Sequence, residues 1–201
     1  LLIQGIGEAY FKPPEKPLDF GNSGTGLRLM AGLLAGQPFD STLTGDVSLC
    51  QRPMDRIIDP LRAMGANITG TLLNNKTVSP LKIKGGQALQ GIRYSLPVAS
   101  AQVKSCLLLA GRFAQGNMQI QESESTRDHT ERLLKKFKDT GKGALTACNL
   151  RIPGDISSAA FFIAAALITP NSELLIKNVG VNPTRNGILK VAEQMGGDIT
   201  Y

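Results

Sequence analysis

Three stretches of the chain place apolar residues at helical spacing directly behind a short polar turn: 24–35, 100–114 and 157–168. A short segment with strand character follows each, at 40–45, 118–121 and 173–177. A second amphipathic helix is predicted after each of these, ending at Gly65, near Gly141 and at Gly196, where a glycine stops the helix and a further short strand can begin. Setting Gly65 on Gly196 aligns Ile57 with Ile188, Met64 with Met195 and Ile68 with Ile199. A weaker third copy puts Arg56 on Arg132 and Leu61 on Phe137. The repeating unit is helix, strand, helix, strand. A repeat of this length predicts a pseudo-symmetric α/β (α+β) domain rather than a thin solenoid. The Ala, Gly and Ser residues of the first helices predict helices packed closely together in an interior.

Repeated helices around a pseudo-axis can turn their N-termini to one side, where their dipoles favour an anion. The turns at those N-termini carry the candidate chemistry. Asn22, Thr25 and Arg28 flank Gly24 in Asp19-Phe20-Gly21-Asn22-Ser23-Gly24-Thr25-Gly26-Leu27-Arg28. Arg52 precedes Pro53, which is expected in the first turn of the next helix. Ser100 is a natural N-cap, followed by Ala101 and Gln102. Arg127 lies just before a helix that starts near His129, Thr130 and Glu131, and Asp155 and Ser157 mark another helix start. Ordinary helix capping explains each of these turns as well as ligand binding does, and a structural role fits the single histidine.

Composition narrows the partners. The 201 residues carry a formal net charge of +6, with 5% aromatic residues and no Trp. The scattered basic residues and scarce aromatics argue against a base-stacking nucleic-acid platform and fit small anionic ligands. At 42% hydrophobic, the chain has enough for a core, but no apolar run reaches membrane-spanning length. Cys50, Cys106 and Cys148 have neither zinc nor disulfide spacing, which fits a reducing cytoplasm. The start, Leu1-Leu2-Ile3-Gln4-Gly5, has no signal-peptide pattern and no Met, so the chain is expected to begin inside a longer protein.

Five stretches in order resemble the 5-enolpyruvylshikimate-3-phosphate (EPSP) synthase family, the 3-phosphoshikimate 1-carboxyvinyltransferases. They are 19–28, Gly45-Asp46-Val47-Ser48-Leu49 with Arg52-Pro53-Met54, Ala99-Ser100-Ala101-Gln102-Val103-Lys104-Ser105, Thr126-Arg127-Asp128-His129-Thr130-Glu131, and Val181-Asn182-Pro183-Thr184-Arg185. The resemblance implies two domains, each of three βαβαββ units about a pseudo-threefold axis, with substrates bound between them. It implies transfer of the enolpyruvyl group of phosphoenolpyruvate to the 5-hydroxyl of shikimate 3-phosphate, a step on the way to chorismate and the aromatic amino acids. No metal or organic cofactor is implied, and the parent enzyme is expected to be a cytoplasmic monomer.

By matching position, phosphoenolpyruvate is expected at Gly24, Arg52 and Gln102, with Asn22, Thr25 and Arg28 shaping the first loop. Shikimate 3-phosphate is expected at Ser100, Ala101, Gln102 and Arg127. The family's catalytic Lys and acidic groups have no counterpart in these 201 residues, so the chain alone is expected to be inactive. Residues 1–152 are expected to be most of one domain with a truncated first unit, and 153–201 the beginning of a return into the other. The 138–151 connection is shorter than the family pattern, with a cut-down hairpin expected at 141–145. In this family an Ala at the Gly24 position is associated with glyphosate insensitivity, so Gly24 implies a glyphosate-sensitive parent. Two alternatives stand beside this reading. One is the sister enzyme acting on UDP-N-acetylglucosamine, whose loop cysteine would correspond to the region of Cys50. The other is a non-catalytic RNA-binding repeat protein.

Overall fold

A computed structural model describes residues 3–4, 11–138 and 145–201. Two compact units divide the chain, 1–147 and 148–201. The division falls a few residues before the 152/153 boundary read from the sequence.

In the first unit, strand β1 (Leu18–Asp19) leads through a turn into helix α1 (Gly24–Ala35). Gly21 takes a left-handed φ of +52° in that turn, a conformation glycine adopts without strain. Strand β2 (Ser41–Thr44), a 3₁₀ turn at Leu49–Gln51 and helix α2 (Asp55–Ala63) follow. Next come β3 (Asn67–Leu73), β4 (Lys76–Lys84) and β5 (Arg93–Ser95). Helix α3 (Ala101–Gly111), β6 (Gln119–Gln121) and α4 (His129–Lys136) complete the unit. The strands form a four-stranded sheet in the order β1-β2-β4-β3 and a parallel pair β5-β6. In the larger sheet, β1 runs parallel to β2, and β4 runs antiparallel to both β2 and β3.

One core joins these elements. Leu27, Ala31 and Leu34 of α1, Ile57, Ile58 and Leu61 of α2, and Val103, Cys106 and Leu107 of α3 bury against Leu43, Ile68, Leu81 and Ile83 of the sheet. Helices α1 and α3 approach so closely that a Cβ on Gly32 would collide with the backbone carbonyl of Cys106. That approach meets the expectation drawn from the small residues and sets the starts of the two helices side by side. Burial pushes the Cys106 thiol up to about 12, so this cysteine is a packing residue.

The second unit contains α5 (Ile156–Ile168) and α6 (Gly187–Gln194), packed around Ile156, Ala159 and Leu189. Asp155 caps α5 by accepting from the Ser157 N–H at 3.1 Å, and Arg185 pairs with Asp155 at 3.0 Å. The strands expected at 173–177 and after Gly196 do not form; the described residues of this unit offer one isolated bridge, Gly154 to Val179. A strand needs a paired neighbour, and without one the local pattern is insufficient. The repeat shows the same effect in its burial. Met64 is fully buried, whereas its counterpart Met195 is 82% exposed. The hairpin expected at 141–145 lies, but for Leu145, outside the described residues.

Candidate functional site

The site is built where α1 and α3 begin. Ser23 caps α1 by accepting from the Gly26 N–H at 3.0 Å, and Ser100 caps α3 by accepting from the Val103 N–H at 3.4 Å. A capping hydroxyl still has its own proton to donate. The Ala101 and Gln102 N–H groups make no hydrogen bond among the described residues, as a helix start leaves them.

Side chains tie the two starts together. Arg28 Nη1 donates to Gln102 Oε1 at 2.8 Å, and Gln102 Nε2 donates to Thr25 Oγ1 at 2.9 Å. Arg28 Nη2 also donates to the Pro53 carbonyl at 3.1 Å. Arg52 reaches in from the loop before α2 and donates to Asn22 Oδ1 at 2.6 Å and to the Asn22 carbonyl at 3.3 Å. The two guanidiniums converge on Gly24: a Cβ there would lie 3.1 Å from Arg28 Nη1 and 3.1 Å from Arg52 Nη1. Gly24 is buried beneath them.

The site is electropositive. Neither Arg28 nor Arg52 forms an ion pair among the described residues. Burial, then repulsion from Arg52 and Arg56, holds Arg28 below the ordinary arginine range. Several like charges gathered without a direct carboxylate partner make a binding place for an external anion; the nearby Asp46 carboxylate reaches Arg52 only through Asn22.

Asp46, not singled out from the sequence, organises one edge. It accepts from Asn22 Nδ2 at 2.7 Å and from the Leu49 N–H at 2.7 Å, while its own N–H donates to the Gly21 carbonyl at 2.9 Å. The Asn22 bond first, and the Leu49 bond second, hold its carboxyl below the usual carboxylate range. An ionised Asp46 can only accept, so it turns the Asn22 amide NH2 towards itself and leaves Oδ1 for Arg52.

Of the residues expected at the site, Asn22, Thr25, Arg52 and Gln102 are gathered around Gly24 in this bonded cluster. Ser100 and Ala101 lie at the same helix start as Gln102. Arg127 stands apart, exposed on the segment between β6 and α4, with no hydrogen bond or ion pair among the described residues. Pro53 lies outside the first helical turn expected for it: α2 starts at Asp55, and Arg52 closes the 3₁₀ turn instead. Cys50 donates to the Gly45 carbonyl at 3.3 Å within its own loop. Among the described residues no three His, Cys, Asp or Glu side chains gather as a metal-binding group, and no helix is long and apolar enough to cross a membrane.

Comparison with known proteins gives the family and the fold. The model of the family EPSP synthase (3-phosphoshikimate 1-carboxyvinyltransferase) matches residues 2–201. The chain belongs to the EPSP synthase family. A 3-phosphoshikimate 1-carboxyvinyltransferase of Methylococcus capsulatus is 52% identical over 210 residues, covering 99% of this chain and 47% of the relative. One of Coxiella burnetii is 55% identical over 99% of this chain and 47% of its own length. A solved EPSP synthase from Acinetobacter baumannii superposes with a TM-score of 0.83 at 49% identity, covering 94% of this chain and 44% of that one. The fold is therefore the mixed α/β fold of EPSP synthase, and the chain spans about half the length of the relatives it matches.

Proposed function

We propose that the first unit supplies the phosphoenolpyruvate and shikimate 3-phosphate contacts of an EPSP synthase. The reaction is enolpyruvyl transfer to the 5-hydroxyl of shikimate 3-phosphate, giving 5-enolpyruvylshikimate 3-phosphate and phosphate. The observation that carries this reading is the convergence of Arg28 and Arg52, without carboxylate partners, on Gly24 beside Gln102.

The chemistry is an addition followed by an elimination. The 5-hydroxyl adds to the central carbon of phosphoenolpyruvate as its methylene takes a proton. The new methyl group then loses a proton and phosphate departs. Arg28 and Arg52 offset the charge of the carboxylate and phosphate, which otherwise repel an incoming oxygen nucleophile. Shikimate 3-phosphate sits at Ser100, Ala101 and Gln102, its phosphate met by Arg127. Gln102 touches both halves. The described groups around Gly24 neutralise and orient; the proton transfers call for a general acid and base beyond them. The parent enzyme's setting in this reading is the cytoplasm, as a monomer, with small anions rather than nucleic acid or membrane as partners.

Cys50 is engaged within its own loop, which does not favour the sister reaction on UDP-N-acetylglucosamine. Calorimetric titration of the 201-residue chain with each sugar ligand separates the two. Heat from shikimate 3-phosphate and none from UDP-N-acetylglucosamine is expected; the reverse refutes the reading.

A further inference from the structure

Lys104 is the only charged residue of α3 and its side chain is 7% exposed. Its ammonium lies 2.9 Å from Glu122 Oε1 and 2.7 Å from Glu131 Oε1. Glu122 follows β6 immediately, and Glu131 stands in the first turn of α4. Two hydroxyl hydrogen bonds reinforce the junction. Thr126 Oγ1 donates to Glu122 Oε2 at 2.6 Å, and the Thr130 and Ser105 hydroxyls are bonded at 2.7 Å. The segment 122–131 is thus fastened to α3 at both ends. Arg127 lies inside that segment, and the fastening point is one helical turn beyond Ser100.

We propose that Lys104 is a positioning residue for anion binding: by gripping Glu122 and Glu131 it sets where Arg127 stands relative to the α3 start. This rests on the reading that Arg127 and Ser100–Gln102 share shikimate 3-phosphate. Packing alone does not call for a lysine here. A buried ammonium pays a desolvation penalty that an apolar side chain of similar size avoids, and a fixed register is the best-attested use of such a pair. Burial pushes Lys104 down, but its bonds to Glu131 and Glu122 outweigh this and hold it above the ordinary lysine range, so it stays charged. Glu131 Oε2 is buried with no partner, which leaves Lys104 as the one group holding that carboxylate among the described residues. Without Lys104, both carboxylates gain by turning to water, and the segment carrying Arg127 loses its reference to α3.

The test is a double-mutant cycle read by calorimetric titration of shikimate 3-phosphate into the 201-residue chain, with folding checked by circular dichroism. Lys104→Met keeps the length and removes the charge. Lys104→Met and Arg127→Gln are each expected to weaken binding roughly tenfold, and the double variant to bind no more weakly than Arg127→Gln alone. Equal losses from Lys104→Met in both backgrounds overturn the positioning role while leaving Arg127 as a ligand. No loss from Arg127→Gln overturns the assignment of Arg127 itself, and the proposal with it. If Lys104→Met does not fold, Glu131→Gln, nearly equal in size, enters the same cycle with the same expectations.

Discussion

Gln102 accepts from Arg28 at 2.8 Å and donates to Thr25 at 2.9 Å, so one side chain of α3 joins two residues of the α1 turn. Gln102→Leu removes both bonds and leaves a half-buried guanidinium short of an acceptor. A hydrogen bond to a charged group contributes about 1.5–3 kcal/mol, so affinity for both phosphoenolpyruvate and shikimate 3-phosphate should fall by at least about tenfold. Calorimetry with each ligand checks this. Loss of only one would show that Gln102 does not serve both halves.

Gly32 carries the close approach of α1 to α3. Gly32→Ala sets a methyl group against the Cys106 carbonyl, which is backbone and cannot swing aside. A cost of about 1–3 kcal/mol, typical of overpacking, should appear as a lower urea midpoint. Ligand affinity should fall with it, because the helix starts move apart. An unchanged midpoint would mean that the two helices tolerate a wider spacing.

Gly24→Ala differs in kind. Its methyl meets guanidinium ends at 3.1 Å, and these can yield by a few tenths of an ångström. Thermal stability should therefore hardly change, while the anion site narrows. In the full-length parent enzyme, glyphosate inhibition should weaken more than the KM for phosphoenolpyruvate rises. Equal inhibition of both forms would contradict this.

The pH dependence of stability should show Asp46. Its folded pKa is depressed, so the stability contributed by its ionised form is complete above the usual carboxylate range. That contribution is lost as pH falls through the depressed value. Urea midpoints of the parent chain and of Asp46→Asn should differ near neutrality and converge as pH falls through the depressed value. A gap that stays constant into acid would remove Asp46 from the account.

Much of this was legible in the sequence where local rules suffice. The helix after the glycine turn runs over Gly24–Ala35 as its apolar spacing predicts, and Ser100 caps α3 as its residue type predicts. Failures came where a distant partner decides. Residues 173–177 carry the short apolar run Leu174-Leu175-Ile176 expected of a strand but have no neighbour to pair with in the described structure. Asp46 and Lys104 gave weaker signals. Asp46 lies within the Gly45–Leu49 stretch, and the bond that gives it a role comes from a residue 24 positions away. Lys104 is a lone charge in an apolar helix, a pattern that marks a buried, paired group, but its partners could be found only through the fold. Arg127 was legible as a candidate from its motif, whereas what anchors its segment was not.

The central claim divides the anion site between two helix starts, phosphoenolpyruvate on the α1 side and shikimate 3-phosphate on the α3 side. The most direct measurement is calorimetric titration of both ligands into Arg52→Gln and Arg127→Gln variants of this chain. A crossed pattern is predicted: Arg52→Gln loses phosphoenolpyruvate and keeps shikimate 3-phosphate, and Arg127→Gln does the reverse. Parallel losses of both ligands in both variants, or no loss in either, would contradict it.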